Sequence, residues 1–382
     1  TAIAAALSAV GGGGSAGVVE VSSRQRPPVA RTLVEELFLG ADPMLAPLPP
    51  HLASMTPDGE MTHVSSRDID MVLEFAPKPL SFWLELGAFE GGSAILTAQR
   101  VEARRDDRTA ADKSVEDETS IVAVDTFLGD IRVLWERTPA ERRQLLRPDG
   151  TISLLDRFRA NVRKAGQAQT VLPLPATSVT ALRLVVSLAQ RGVVPLPQVI
   201  YLDSAHEEGE VLLEIELAWE ALAPGGVLFG DDWVLPPLRP ASPDAEEDPG
   251  GVQRDVLRFA ERHAAELDDS FGPQVQPWRT LGRARPGLFV SYLSFQWFMR
   301  KLPDASDRRL AADGRRERGS HVAGAAGSGV SALGASVASF DCWSDGYQPG
   351  DCCDEVRHGP GGNAKCWDIV FTFQRCCPGT GA

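Results

Sequence analysis

Three aspartates and a histidine stand at the ends of two apolar runs. Val199-Ile-Tyr-Leu202 leads into Asp203, with His206 three residues on, and Val227-Leu-Phe-Gly230 leads into the pair Asp231 and Asp232. If the two runs are neighbouring parallel strands joined by one helix, their acids meet at the carboxyl edge of a sheet, where open α/β folds bind ligands. Carboxylates gathered at one point repel one another unless a proton or a cation intervenes. Hard oxygen donors of this kind suit Mg²⁺ or another divalent cation, with Asp203, Asp231 and Asp232 as its ligands. A simpler reading leaves His206 and Asp232 as caps of the segments that follow them.

A second constellation lies upstream. Phe82-Trp-Leu-Glu-Leu-Gly-Ala-Phe-Glu-Gly-Gly-Ser93 reads as a strand, a glycine turn and the start of a helix. Glycines at 87 and 91 allow a tight turn and a close approach of ligand to the free N–H groups of the helix. The next apolar run ends in Asp125, placed to accept hydrogen bonds from ribose hydroxyls. Taken singly, the turn is an ordinary strand-to-helix connection and the acid an ordinary cap.

Parallel strands alternating with helices would bring these residues together, and the hydrophobic pattern supplies them. Strands are predicted near 82–86, 121–125, 170–174, 198–203 and 226–231, each a nearly continuous apolar run, as in sheets covered on both faces. Helices are predicted near 92–101, 153–165, 178–191, 207–222 and 251–267. Runs at 288–293 and 295–299 would add an antiparallel pair at one edge. Two helices precede the sheet, one opened by a Thr32/Glu35 capping box and one capped by Ser66 and ended by Pro77 and Pro79. The charged insert Glu102 to Ser120 reads as a solvated loop. The expected fold is α/β and Rossmann-like: a mostly parallel seven-stranded sheet with helices on both faces.

Glu85-x-Gly87-x-x-x-Gly91, Asp125, Asp203-x-x-His206 and Pro224-Gly-Gly-x-x-x-x-Asp231-Asp232 together resemble class I methyltransferases. The similarity is greatest to the bacterial-type family that includes macrocin O-methyltransferase-like enzymes, over roughly residues 60 to 300. The resemblance implies S-adenosylmethionine as methyl donor, with Glu85, Gly87, Gly91, Ser93 and Asp125 at the cofactor and Ser178 near its adenine. In the more distant catechol O-methyltransferase group, an acid after the fourth strand and an acidic pair after the fifth hold Mg²⁺, and a lysine three residues past the first acid removes the substrate proton. Here His206 stands in the lysine's place, which leaves the base open between alternatives. An imidazole with its ordinary pKa near 6.5 is suited to the task, and Asp203 with His206 is the candidate catalytic pair. The implied reaction is metal-assisted methyl transfer to a hydroxyl oxygen of a small molecule or sugar.

Two other readings stay open. An NAD-linked oxidoreductase also joins a glycine turn to a ribose-binding acid, but the G-x-G-x-x-G spacing is absent and Asp125 lies well beyond the roughly 20 residues such folds leave before that acid. A binding protein that keeps the fold without turnover is the third possibility.

The 382-residue chain carries a formal charge of −14, which disfavours nucleic acid, since phosphate binding rests on Lys and Arg. A small-molecule or sugar acceptor is the expected partner. Ala2 to Val10 is apolar but far shorter than the roughly 20 residues of a membrane helix, and a signal peptide cannot be judged in a chain that begins at Thr1. All six cysteines follow residue 341, in two copies of Cys-Trp, eight residues, Cys-Cys. Adjacent cysteines suit zinc poorly; disulfides, and with them a secretory or extracellular location, are expected. The tail resembles Cys-Trp and Cys-Cys tails of proteins from unicellular algae and their relatives, a likeness that names no function. The expected organisation is a flexible segment at 1–30, a catalytic domain at 31–302, an Ala/Gly/Ser-rich linker at 303–338 and a small disulfide-rich module at 339–382.

Overall fold

The computed structural model describes residues 26–53, 64–106, 118–234, 250–270, 281–291 and 294–304, together with Arg357. By its internal contacts the chain divides into two units, Thr1–Arg308 and Arg309–Ala382. Apart from Arg357, the cysteine module lies outside the described residues, as do nearly all of the linker and the expectation of disulfides.

The first unit is built on one eight-stranded mixed sheet. Five parallel strands form its larger part: β1 (Phe82–Leu86), β2 (Ser120–Asp125), β3 (Val171–Pro175), β4 (Val199–Leu202) and β5 (Val227–Gly230). They are followed along the sheet by antiparallel β8 (Trp297–Arg300), β7 (Leu288–Ser291) and β6 (Leu281–Arg285), in the order β3-β2-β1-β4-β5-β8-β7-β6. β1 pairs with β2 on one side and β4 on the other. The order therefore reverses at β1, and a crevice opens at the carboxyl ends of β1 and β4.

Alternate strand residues feed two separate cores, because successive side chains leave a strand on opposite faces. Phe82, Leu84 and Leu86 join one core with α1 (Pro28–Phe38), α7 (Ser178–Gln190), α8 (Glu210–Ala221) and α9 (Gly251–Arg262). Trp83, Ala123, Tyr201 and Phe229 join the other with α3 (Ser66–Phe75), α4 (Gly92–Asp106) and α6 (Leu154–Lys164). Both faces of the parallel strands are thus dry, which explains their unbroken apolar sequences.

Several expectations are corrected. The sheet has eight strands, not seven: β6, Leu-Gly-Arg-Ala-Arg, sits at the edge with Arg283 and Arg285 exposed and carries no apolar run to reveal it. Thr32 is inside α1, which starts at Pro28 because proline's fixed φ suits a first turn. Ser65 rather than Ser66 caps α3, in a reciprocal box with Asp68. The helix after β1 runs on to Asp106, into the stretch read as a loop. Three short elements were not expected: α2 (Pro50–Ala53), α5 (Pro139–Leu145), whose Thr138/Glu141 capping box was the available signal, and a single π-type turn at Ile131–Trp135.

Candidate active site at the carboxyl edge of the sheet

The turn after β1 is made by Gly87 and Gly91, both with φ of +91°. A β-carbon on Gly87 would lie 1.7 Å from the Asp203 backbone oxygen, so the turn rests directly against the exit of β4. Glu85, two residues before Gly87, is fully buried and accepts a 2.6 Å hydrogen bond from the Ser93 hydroxyl. Burial raises its pKa to about 8; the Ser93 bond opposes the rise and the charge of Asp125 adds to it. Asp125 joins two loops: its carboxylate accepts the Phe89 N–H at 2.8 Å and the Phe127 N–H at 2.6 Å. Burial pushes its pKa up against those two bonds.

The turn is braced from below by one face of α6. Arg157 donates to both carboxylate oxygens of Glu90 at 2.6 and 3.3 Å, and Asn161 donates to the Glu90 carbonyl at 2.9 Å. Both charged side chains are nearly inaccessible, at 7% and 6%. Truncating one partner leaves the other buried and unpaired, so Arg157→Met should cost about 3–5 kcal/mol in urea unfolding. Adding Glu90→Gln should recover part of that loss; no recovery would show that the pair is not what Arg157 contributes.

Acids from the loop after β2 and from the end of β5 flank His206. Its Nδ1 lies 2.8 Å from Asp232 Oδ2 and its Nε2 3.5 Å from Asp130 Oδ2. The shorter contact is off the N–H direction, which makes it an ion pair more than a hydrogen bond. Burial by itself would lower the imidazole's pKa, but Asp130 and Asp232 override it and lift it to about 10. Because this pKa is raised on folding, the stabilisation is complete below the unfolded value near 6.5 and is lost as pH rises through about 10. Asp203 accepts a 3.3 Å hydrogen bond from the Tyr201 hydroxyl. Burial, then the charges of Asp231 and Asp232, push its pKa well above the usual carboxylate range. Asp130 escaped the sequence reading. Its one sign was its place after Gly129 in the loop that leaves β2.

The structure does not form the expected metal triad. Among the described residues no three His, Cys, Asp or Glu side chains are gathered to hold one ion. Asp232, a non-glycine residue with φ of +64°, turns its carboxylate to His206, and Asp231 Oδ1 takes the Asp232 N–H at 2.7 Å. The acids at 203, 231 and 232 are thus close enough to interact but differently engaged. His206 caps no helix either, since α8 begins at Glu210 behind Gly209. Ser178 donates to Glu214 Oε1 and Ser204 donates to Oε2 of the same carboxylate. This ties α7 and α8 to the loop carrying Asp203 and His206.

A family profile described as a methyltransferase domain matches residues 84–233, from within β1 to just past the acids after β5. The chain has a Rossmann-like α/β methyltransferase fold. The matched span contains the glycine turn, Asp125, Asp130, Asp203, His206, Asp231 and Asp232. Solved structures similar to it include an O-methyltransferase from Bacillus cereus in complex with SAH, at 16% identity and a TM-score of 0.34, covering 73% of this chain and 99% of that one. Another is the O-methyltransferase TomG from Streptomyces achromogenes in complex with SAM, at 18% identity and a TM-score of 0.32, covering 73% and 90%. No curated protein matches the chain.

Proposed function

We propose that this protein transfers a methyl group from S-adenosylmethionine to a hydroxyl oxygen of a small molecule. The observation that carries the reading is the contact of the glycine turn with Asp203, which brings a cofactor-type turn and a cluster of proton-exchanging groups to one crevice. The residues present fit the donor. Glu85 and Asp125 are carboxyl groups close enough to interact with one another and able to accept hydrogen bonds from an ammonium and from ribose hydroxyls, and Gly87 and Gly91 allow the positive φ of the adjoining turn. Asp125 has lone pairs left beyond its two backbone bonds for ribose hydroxyls. Bound there, the sulfonium supplies an electrophilic methyl group.

The remaining work falls to the chain's own side chains. His206, with a pKa near 10, is an imidazolium at neutral pH and cannot accept a proton. Its role is to stabilise negative charge developing on the acceptor oxygen. Asp203 takes the acceptor's proton, because a carboxyl group whose pKa is raised is the better base near neutrality. Asp130 and Asp232 hold the imidazole in place and keep it charged.

Calorimetry tests the cofactor. S-adenosylmethionine should bind and NAD should not, and Asp125→Asn should weaken binding by about 1.5–3 kcal/mol. Binding of NAD in place of S-adenosylmethionine would refute the proposal.

A further inference from the structure

Large apolar side chains are exposed at only seven of the described positions, and four of them stand beside the cluster just described. Leu128, Ile131 and Trp135 are 61%, 49% and 52% exposed on the segment that carries Asp130, and Val234 is 52% exposed two residues beyond Asp232. Their exposure is not slack in the loop. Leu134 is fully buried and fills the space over Gly129, and Phe127 packs edge-on against Phe158 at 5.3 Å. The N–H groups of Leu134 and Trp135 both bond to the Asp130 carbonyl. The segment is therefore anchored by one set of apolar residues while a second set faces water, in a π-type turn of the kind that recurs at functional sites.

We infer that Leu128, Ile131, Trp135 and Val234 form the acceptor's seat, and that the acceptor is a flat, uncharged aromatic compound bearing a hydroxyl. The inference rests on the methyl-transfer reading and deepens it. A sugar would set most of its hydroxyls against Leu128, Ile131 and Val234, which can return no hydrogen bond, with only the Trp135 indole N–H able to donate one, and that is unfavourable. An aromatic ring buries its faces on Trp135 and Ile131 and leaves its hydroxyl for the acids and His206. Asp130, Asp203, Asp231 and Asp232 crowd the floor with acidic groups, so an acceptor carrying a carboxylate or phosphate is disfavoured. A larger occupant fits less well. Four side chains fall far short of the roughly 20–30 residues a side of a stable protein interface, and a chain of charge −14 is repelled by anionic lipid.

The test uses the full chain saturated with S-adenosylhomocysteine, so that acceptor affinity is read by calorimetry without turnover. The probes are a neutral methoxyphenol, a hydroxybenzoate and a neutral methyl hexopyranoside. The methoxyphenol should bind most tightly. Trp135→Ala and Ile131→Ser, both at exposed positions and so tolerated by the fold, should each weaken it by about tenfold while leaving affinity for S-adenosylhomocysteine unchanged. Preference for the hexopyranoside or the hydroxybenzoate, or variants that bind the phenol within twofold of wild type, would overturn this inference alone. Failure of the wild type to bind S-adenosylhomocysteine would overturn the methyl-transfer reading itself.

Discussion

Replacing Asp203 with asparagine should lower kcat by about 10²- to 10⁴-fold while S-adenosylmethionine still binds. The side chain keeps its size and its contact with Tyr201 but loses the ability to take a proton. His206→Gln should also slow turnover, by a different route: it removes the positive charge facing the developing oxyanion and takes the charged ring away from Asp130 and Asp232. The two variants separate in their pH profiles. With Asp203 as base, the acid limb of the wild-type profile reports Asp203 and persists in His206→Gln. The alkaline limb reports loss of the imidazolium proton toward about pH 10 and disappears in that variant. A strong chelator should leave the rate intact. Full activity in Asp203→Asn would remove it from the chemistry, and activity lost in chelator and restored by Mg²⁺ would return the acids to the role of metal ligands.

Gly87→Ala should be among the most damaging small substitutions in the chain, at about 3–5 kcal/mol of stability. Two penalties combine there. The φ of +91° is strained for any residue with a β-carbon, and that carbon would lie 1.7 Å from a backbone oxygen of Asp203. Neither strand end can yield, because β1 and β4 are hydrogen-bonded neighbours in the middle of the sheet. Gly192 supplies the control. It also has positive φ, at +71°, but has nothing within 4 Å of an added β-carbon. Its alanine variant should lose only about 1–2 kcal/mol. Chemical unfolding of the two measures the difference, and equal losses would show that the contact with Asp203 is not tight in solution.

Much of the frame was legible because its signals are local. β1, β2, β4 and β5 are short runs whose residues are nearly all apolar, and a strand covered on both faces needs nothing else. The turn at Gly87 and Gly91 and the acids closing β2, β4 and β5 follow from the same alternation, since the carboxyl ends of parallel strands share one edge. β6 was hidden because edge strands need not be apolar, and α5, apart from its capping box, and the π-type turn because each is too short to show a period.

The state of the site belonged to the tertiary structure. Residue types placed His206 among acids, but its charge depends on Asp130 and Asp232, one from the loop after β2 and one from the end of β5. Only folding brings these within ion-pairing distance of one ring, and that distance raises the pKa of the imidazole against its burial. In the same way, three aspartates in sequence look like a ligand set for a divalent ion. The left-handed backbone at Asp232 aims one carboxylate at the imidazole instead. The sequence by itself determined which side chains reach the edge of the sheet, because strand ends and turns are written in local pattern. The directions those side chains take and the protons they hold were decided by non-local contacts, which no spacing of residues encodes.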